Sequence, residues 1–239
     1  MSCPPVRALI VTNLYPTAER PEYGRFVFDQ VEALRRRGDV ELEVFPFPPG
    51  LRSYPAAARA LRRRYGRRRR RFDVVHAHFG LTAWPALLAG LGPVVVALHG
   101  NDLFHPRSSR ITRAALPFTA LPAAVSREFA GNLPGAGVTR RVAVLPVGID
   151  LNRFRPIPRR EARERLGLGP DGPYLLFPHD PQRPLKRFDR ACEAAGDVPL
   201  LRMGRVPPDE VAYWINAANA VLVPSHAEGF GLAVVEAIA

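Results

Sequence analysis

Cysteine is scarce: Cys3 and Cys192 are the only two in 239 residues, far apart and in no CxxC pair. That argues against a disulfide framework or a cysteine-built zinc site and fits a reducing cytoplasm. A signal peptide is not expected either, because the apolar run in MSCPPVRALIVTN is too short and Arg7 stands at its start. Charge is missing from one long stretch, Val74 to Asn101, which holds no Asp, Glu, Lys or Arg. A membrane span needs about 20 apolar residues. Here His76 and His78 open the stretch, Pro85 follows Trp84, and Gly92-Pro93 cuts it in two. The expectation is a strand, a buried helix and a second strand.

Acidic residues are also in deficit, 22 against 34 basic ones, for a net charge of +12. The excess is concentrated in RALRRRYGRRRRRF, residues 59–72, with nine arginines. One reading is a solvated arginine-rich helix and turn. The other is attraction to anionic phosphates, of a membrane surface or of nucleic acid. The run has one tyrosine and no repeating aromatic spacing, so it lacks a stacking platform for bases. Of the two phosphate partners, an anionic membrane surface met through Arg59–Arg71 is favoured over nucleic acid.

What is present is a foldable core. Hydrophobic residues make up 47% of the chain, which argues against disorder. The length suits one large domain or two smaller ones, at about 150 residues each. Short β-rich runs alternate with helical patterns. VRALIVTN (6–13), VELEVFPF (40–47), DVVHAHF (73–79), PVVVALHG (93–100), FTALPAAVS (118–126) and RRVAVLPVG (140–148) read as strands. GRFVFDQVEALRRRG (24–38) reads as a helix with Phe28, Val31 and Leu34 at helical spacing and Gly38 placed to end it, and a second helix falls around 81–90. This alternation points to an α/β fold with a doubly wound parallel sheet.

DLNRFRPIPRREARERLGLGPDG then breaks the pattern as a linker with one short helix. The alternation restarts with strands PYLLFP (173–178), PLLRMG (199–204) and NAVLVPS (219–225), and helices near 186–195, 208–218 and from 231. The expected domains are residues 1–157 and 158–239. Three strands with an uncovered edge make a poor independent domain, so the second is expected to be incomplete.

Ligands of open parallel sheets bind at the carboxyl ends of the strands. Asn13, His99-Gly100-Asn101-Asp102, His179-Asp180 and Ser225-His226-Ala227-Glu228 all fall there. In EGFGLAVVE, Gly229 and Gly231 allow close backbone approach to a ligand. A helix starting near Phe230 would present free N–H groups to phosphate or sugar oxygens. Glu228 and Glu236 could accept hydrogen bonds from hydroxyl groups; an ordinary helix start with Glu236 on a solvated face is the alternative. His76 and His78 are expected on opposite faces of their sheet and not to form a metal pair.

The spacing E-(x7)-E around an internal Gly-Phe-Gly, after a strand ending VPS, resembles the retaining glycosyltransferases of family 4 (GT4), which have the GT-B fold. TNLYPTAERPEYGRFVFDQVEALRRRG, DVVHAHFGLTAWPAL, LHGNDL, AAVSREF, VLPVGIDLNRFRP and FPHDPQRPLKRFDRA resemble the family's other blocks in order along the chain. The nearest subgroup is similar to bacterial teichuronic-acid glycosyltransferases. The resemblance implies two Rossmann-like domains, an acceptor-side one and a nucleotide-sugar-binding one, with the reaction between them. It implies transfer of a sugar from a UDP- or GDP-sugar to a glycan or lipid-linked acceptor, in cell-envelope polysaccharide synthesis, with the arginine run expected to hold the enzyme at the inner face of the membrane. A non-catalytic nucleotide-sugar-binding protein or an inactive fragment is the alternative, and a C-terminally truncated chain would have weak activity or none.

By position, Glu236 matches the glutamate that binds the nucleotide ribose, and Glu228 the one that contacts the donor sugar, beside Gly229 and the amides of Phe230 and Gly231. Arg183 and Lys186 match the basic pair on the diphosphate, whose developing charge cations stabilise. His99 matches a histidine near the transferring sugar, and Gly24 the glycine loop over the diphosphate. The basic residues stand in for a metal, and no cofactor is expected. The chain departs from the pattern at Pro178-His179 and at Lys186-Arg187, where Gly-Arg and Lys-Gly are usual.

Overall fold

The structure, a computed structural model, describes residues 4–66, 71–133 and 141–239. The chain divides into two compact units, Met1–Thr17 with Tyr23–Gly148, and Ala18–Glu22 with Ile149–Ala239.

The first unit runs β1 (Val6–Thr12), α1 (Arg25–Arg37), β2 (Val40–Pro46), α2 (Ser53–Tyr65), β3 (Val74–His78), α3 (Ala83–Leu88), β4 (Val94–Leu98), α4 (Asn101–Phe104), α5 (Pro106–Ala115), β5 (Leu121–Ala124), α6 (Arg127–Asn132) and β6 (Ala143–Val144). The sheet is parallel throughout, in the order β2-β1-β3-β4-β5-β6. The chain leaves β1 toward β2 on one side and continues from β3 on the other. The carboxyl ends of β1 and β3 therefore flank the topological switch point, where such sheets take ligands.

Helices cover both faces of a parallel sheet, so its central strands read as unbroken apolar runs. Leu9, Ile10, Val11, Val75, Val96 and Leu98 are all buried. Helix α1 buries Val27 and Val31, one turn apart, against Ile10. Gly38 ends it in the left-handed region at φ 75°. Helix α2 buries Ala57, Ala58, Leu61 and Tyr65 and leaves Arg59, Arg62, Arg63 and Arg64 in solvent. Arg64 and Arg71 pair with Glu43 of β2 at 3.6 and 2.5 Å. Residues 67–70 of the arginine run lie outside the described residues.

Three helices escaped the sequence reading: α4, α5 and α6. The strand expected over 118–126 shrinks to Leu121–Ala124. A 3-10 turn over Leu116–Phe118 precedes it, and the Ser126 side chain accepts the Phe129 N–H at 3.1 Å to cap α6. Of the strand expected over 140–148 only Ala143–Val144 joins the sheet, and Pro146, with no N–H, cannot extend the ladder.

The second unit runs α7 (Arg159–Arg165), β7 (Leu175–Phe177), α8 (Phe188–Ala195), β8 (Leu200–Arg202), α9 (Val211–Ala217), β9 (Ala220–Val221) and α10 (Leu232–Ile238). Its parallel sheet has the order β8-β7-β9. Leu176 of the central strand packs with Met203 and Ala218. Arg163 of α7, only 4% exposed, donates to the Ala217 carbonyl at 3.0 Å, to Asn219 Oδ1 at 2.9 Å and to the Pro170 carbonyl. It thereby ties the linker helix to the start of β9. No helix among the described residues is long and apolar enough to cross a membrane.

Candidate functional site

In the second unit the loops after β7 and β9 meet. Beyond Phe177, Asp180 turns the chain: its Oδ1 accepts the Gln182 N–H at 2.9 Å and its carbonyl accepts that of Arg183 at 3.2 Å. A 3-10 turn over Pro184–Lys186 follows, closed by the Lys186 N–H on the Arg183 carbonyl at 2.9 Å. This turn buries Lys186, 8% exposed, and sets its ammonium 2.5 Å from Oε1 of Glu228. Glu228 arrives from the loop after β9, which is tied to the same turn by the His226 N–H on the Leu185 carbonyl at 2.9 Å.

His179 completes the group, its Nε2 3.9 Å from the same carboxylate oxygen. Burial holds its pKa down to about 4, aided by the charges of Lys186 and Arg183 and opposed by Glu228. Burial pushes the Glu228 carboxyl up, but hydrogen bonds from Lys186 and Ser225 and the charge of Lys186 together outweigh it and hold the group below its usual range. At neutral pH the cluster therefore combines an ionised carboxylate, a neutral imidazole and an ion-paired ammonium, with the exposed Arg183 close enough to act on His179.

Gly229, Phe230 and Gly231 follow Glu228 directly. Gly231 caps α10 at φ 77°, a backbone conformation that costs glycine little, and its carbonyl accepts the Val234 N–H at 2.9 Å. The helix opens at Leu232, slightly later than the sequence suggests, and Glu236 lies in its second turn, partly exposed.

In the first unit the polar residues gather at the ends of β1, β3 and β4. Gly24, at φ 68°, precedes α1, and a Cβ there would come within 2.3 Å of the Leu14 carbonyl carbon. No side chain fits, so glycine is required on grounds of both backbone and space. One residue into α1, the Phe26 ring lies 5.1 Å from the ring of His99. Asp102 holds the loop after β4: its carboxylate accepts N–H groups of His99 (3.1 Å), Gly100 (2.8 Å) and Gly80 (3.2 Å). Burial raises its pKa to about 6 against the lowering effect of those bonds.

One expectation fails here. His76 and His78 do not face opposite sides of the sheet: their rings lie 4.4 Å apart. Side chains alternate with a period of two, so residues two apart share a face. His78 in turn reaches His99, its Nδ1 3.2 Å from His99 Nε2. Burial lowers the pKa of His76 to about 4 and of His99 to about 3, and holds His78 well below the ordinary value.

The structure thus brings Lys186, Glu228 and Arg183 together in one unit, and His99 and the Gly24 loop together in the other. His179, Asp102 and His78 were seen in the sequence but given no part in the site. Their position at strand ends was the available signal.

Residues 8–153 match the model of Glycosyltransferase Family 4. The chain belongs to glycosyltransferase family 4. Among GT4 relatives, the D-inositol 3-phosphate glycosyltransferase of Frankia alni is 28% identical over 227 residues, covering 70% of this chain and 55% of the relative. That of Actinosynnema mirum is 31% identical over 224 residues, covering 70% and 54%. TuaC of Bacillus subtilis, provisionally named a teichuronic acid biosynthesis glycosyltransferase, is 28% identical over 201 residues, covering 70% and 51%. The chain spans about half the length of these relatives. The sucrose-phosphate synthase of Thermosynechococcus elongatus superposes with a TM-score of 0.73 at 17% identity, over 98% of this chain and 79% of that one. The catalytic domain of starch synthase IV from Arabidopsis thaliana, bound to ADP and acarbose, gives 0.72 at 14% identity, over 99% and 81%. Two parallel-sheet units with these neighbours have the GT-B fold.

Proposed function

We propose that this GT4 chain carries the donor-binding elements of a retaining glycosyltransferase, which moves a sugar from a nucleotide-diphosphate sugar to a glycan or lipid-linked acceptor. The observation that carries the reading is the Lys186–Glu228 pair, closed at 2.5 Å and flanked by Arg183 and His179 at the carboxyl ends of adjacent strands. Lys186 and Arg183 take the diphosphate and stabilise its charge as it leaves. Glu228 turns its carboxylate to a donor-sugar hydroxyl beside Gly229 and the amides of Phe230 and Gly231. Glu236 accepts from the ribose. Gly24 lets the loop before α1 approach the diphosphate, and His99 meets the transferring sugar. The positive side chains do the work of a metal, so none is assigned.

The nucleotide is UDP or GDP, and a solved neighbour bound to UDP and glucose supports the first. The teichuronic acid relative supports a role in cell-envelope polysaccharide synthesis. Arg59, Arg62 and Arg63 of α2 hold the protein at an anionic cytoplasmic membrane surface, where a lipid-linked acceptor would lie; absence of binding to anionic vesicles removes this part. Calorimetric titration of UDP, then GDP, into the protein and its Glu236→Ala variant tests the core. Binding by the parent and at least tenfold weaker binding by the variant is expected. A parent that binds neither nucleotide overturns the donor site.

A further inference from the structure

Three imidazoles lie in a row beside the first turn of α1. His78 is in the middle, its ring centre 4.4 Å from that of His76 and 5.4 Å from that of His99, the latter pair nearly parallel at 23°. His78 is 1% exposed, whereas His99 is partly exposed. The 3.2 Å approach of His78 Nδ1 to His99 Nε2 requires one proton between them, since two bare nitrogens or two N–H groups would repel.

Two neutral arrangements satisfy that requirement. If His99 donates from Nε2, His78 must carry its own proton on Nε2. That nitrogen is buried and has no hydrogen-bond partner among the described residues. An orphaned buried N–H is the costlier defect, rarer in proteins than an unused acceptor. If His78 donates from Nδ1 instead, only a lone pair is left without a partner. His99 then carries its proton on Nδ1.

A third arrangement, with one ring cationic, puts a charge on a ring of the pair whose nitrogens meet no carboxylate among the described residues. Both Asp102 oxygens accept backbone N–H groups of Gly80, His99 and Gly100. The other rings packed against the pair are those of Phe26, Phe79 and His76.

We infer that His78 is a positioning residue that locks His99 as the neutral Nδ1–H tautomer, so that His99 offers a bound sugar a hydrogen-bond donor and not a base. The sugar part of this inference rests on the proposed place of His99 at the donor. The chemistry suits it: a glycosyl group gains positive charge as its bond to the leaving group breaks. A neutral N–H can orient one of its oxygens without repelling that charge.

The test is a long-range proton–nitrogen correlation spectrum of the full chain labelled with nitrogen-15 histidine. His99 is expected to carry hydrogen on Nδ1 and none on Nε2, unchanged from pH 8 to pH 5. Hydrogen on Nε2, a mixture of tautomers or a cation in that range overturns the inference. His78→Asn, whose amide can donate near the place of Nδ1, should keep the His99 signature, and His78→Leu should lose it. Retention of the signature in a folded His78→Leu protein also overturns the positioning role. Should that variant fail to fold, the parent and His78→Asn spectra decide. No ligand enters these readings, so failure of UDP and GDP to bind sinks the donor site separately.

Discussion

Arg187 stands at φ 54°, ψ 54°, a left-handed conformation in which an L side chain costs roughly 1–2 kcal/mol. The motif it resembles has glycine there, and the backbone gives the reason. Its compensation is a bond to Asp189 at 2.6 Å, between side chains 30% and 63% exposed, which contributes little in water. Arg187→Gly should therefore be more stable than Arg187→Ala by about 1 kcal/mol, because both lose the pair but only glycine sheds the strain. Urea denaturation of the two variants measures the difference, and equal midpoints would contradict it. One residue earlier, the Lys186–Glu228 pair is lopsided, with side chains 10% and 30% exposed. Glu228→Gln leaves a buried ammonium with no counter-charge, at a cost of about 1–3 kcal/mol. Lys186→Met leaves a carboxylate that water can reach, so its stability loss should be smaller. Its loss of nucleotide affinity should be larger, about tenfold or more for one charge-assisted contact. Thermal melts and nucleotide titrations on the two variants should rank them in opposite orders.

Strand β3 and the loop after β4 carry much of the first unit's response to mild acid. His76, His78 and His99 are held below their ordinary 6.5 by burial, while Asp102 is raised to about 6. Around pH 5 the unfolded chain binds protons on three histidines that the folded chain leaves bare. The folded chain binds one on Asp102 that the unfolded chain does not. The unfolded state thus holds about two more protons, so stability rises with pH by roughly 2–3 kcal/mol per unit there and is lost as pH falls below about 6.5. Trp84 fluorescence in a Trp214→Phe background isolates the first unit, and equal urea midpoints at pH 7.5 and pH 5.0 would refute this account. Much of this scale was legible in the sequence. β1, α1, β2, β3 and β4 follow from apolar runs and from Gly38, because their residues pack by simple periods. Helices α4 and α5 were not legible, since Pro106 and a surface of arginine and serine blur the period of 3.6. The shared face of His76 and His78 was there to be read from a spacing of two. The burial of Lys186 was not, because it depends on a turn and on a loop 42 residues further on.

For the whole molecule, the net charge of +12 is unevenly spread. Glu43 engages Arg64 and Arg71, but Arg59, Arg62 and Arg63 of α2 face solvent beyond a buried stripe of Ala57, Ala58 and Leu61. A helix pinned by one face offers the other as a rigid array, so binding through it orders little new structure. Each arginine near an anionic bilayer contributes about 1 kcal/mol, and the attraction fades within a screening length of about 8 Å at physiological salt. Arg62→Glu with Arg63→Glu would replace two attractions by two repulsions, a change of about 4 kcal/mol, or nearly a thousandfold in partitioning. Sedimentation with phosphatidylserine-containing vesicles at low salt should show the parent bound and the double variant in the supernatant. Raising salt toward 1 M, where screening shortens to about 3 Å, should release the parent too. Binding that survives both the double variant and high salt would place the contact on apolar groups instead, with the exposed Leu88 and Phe118 the first residues to change.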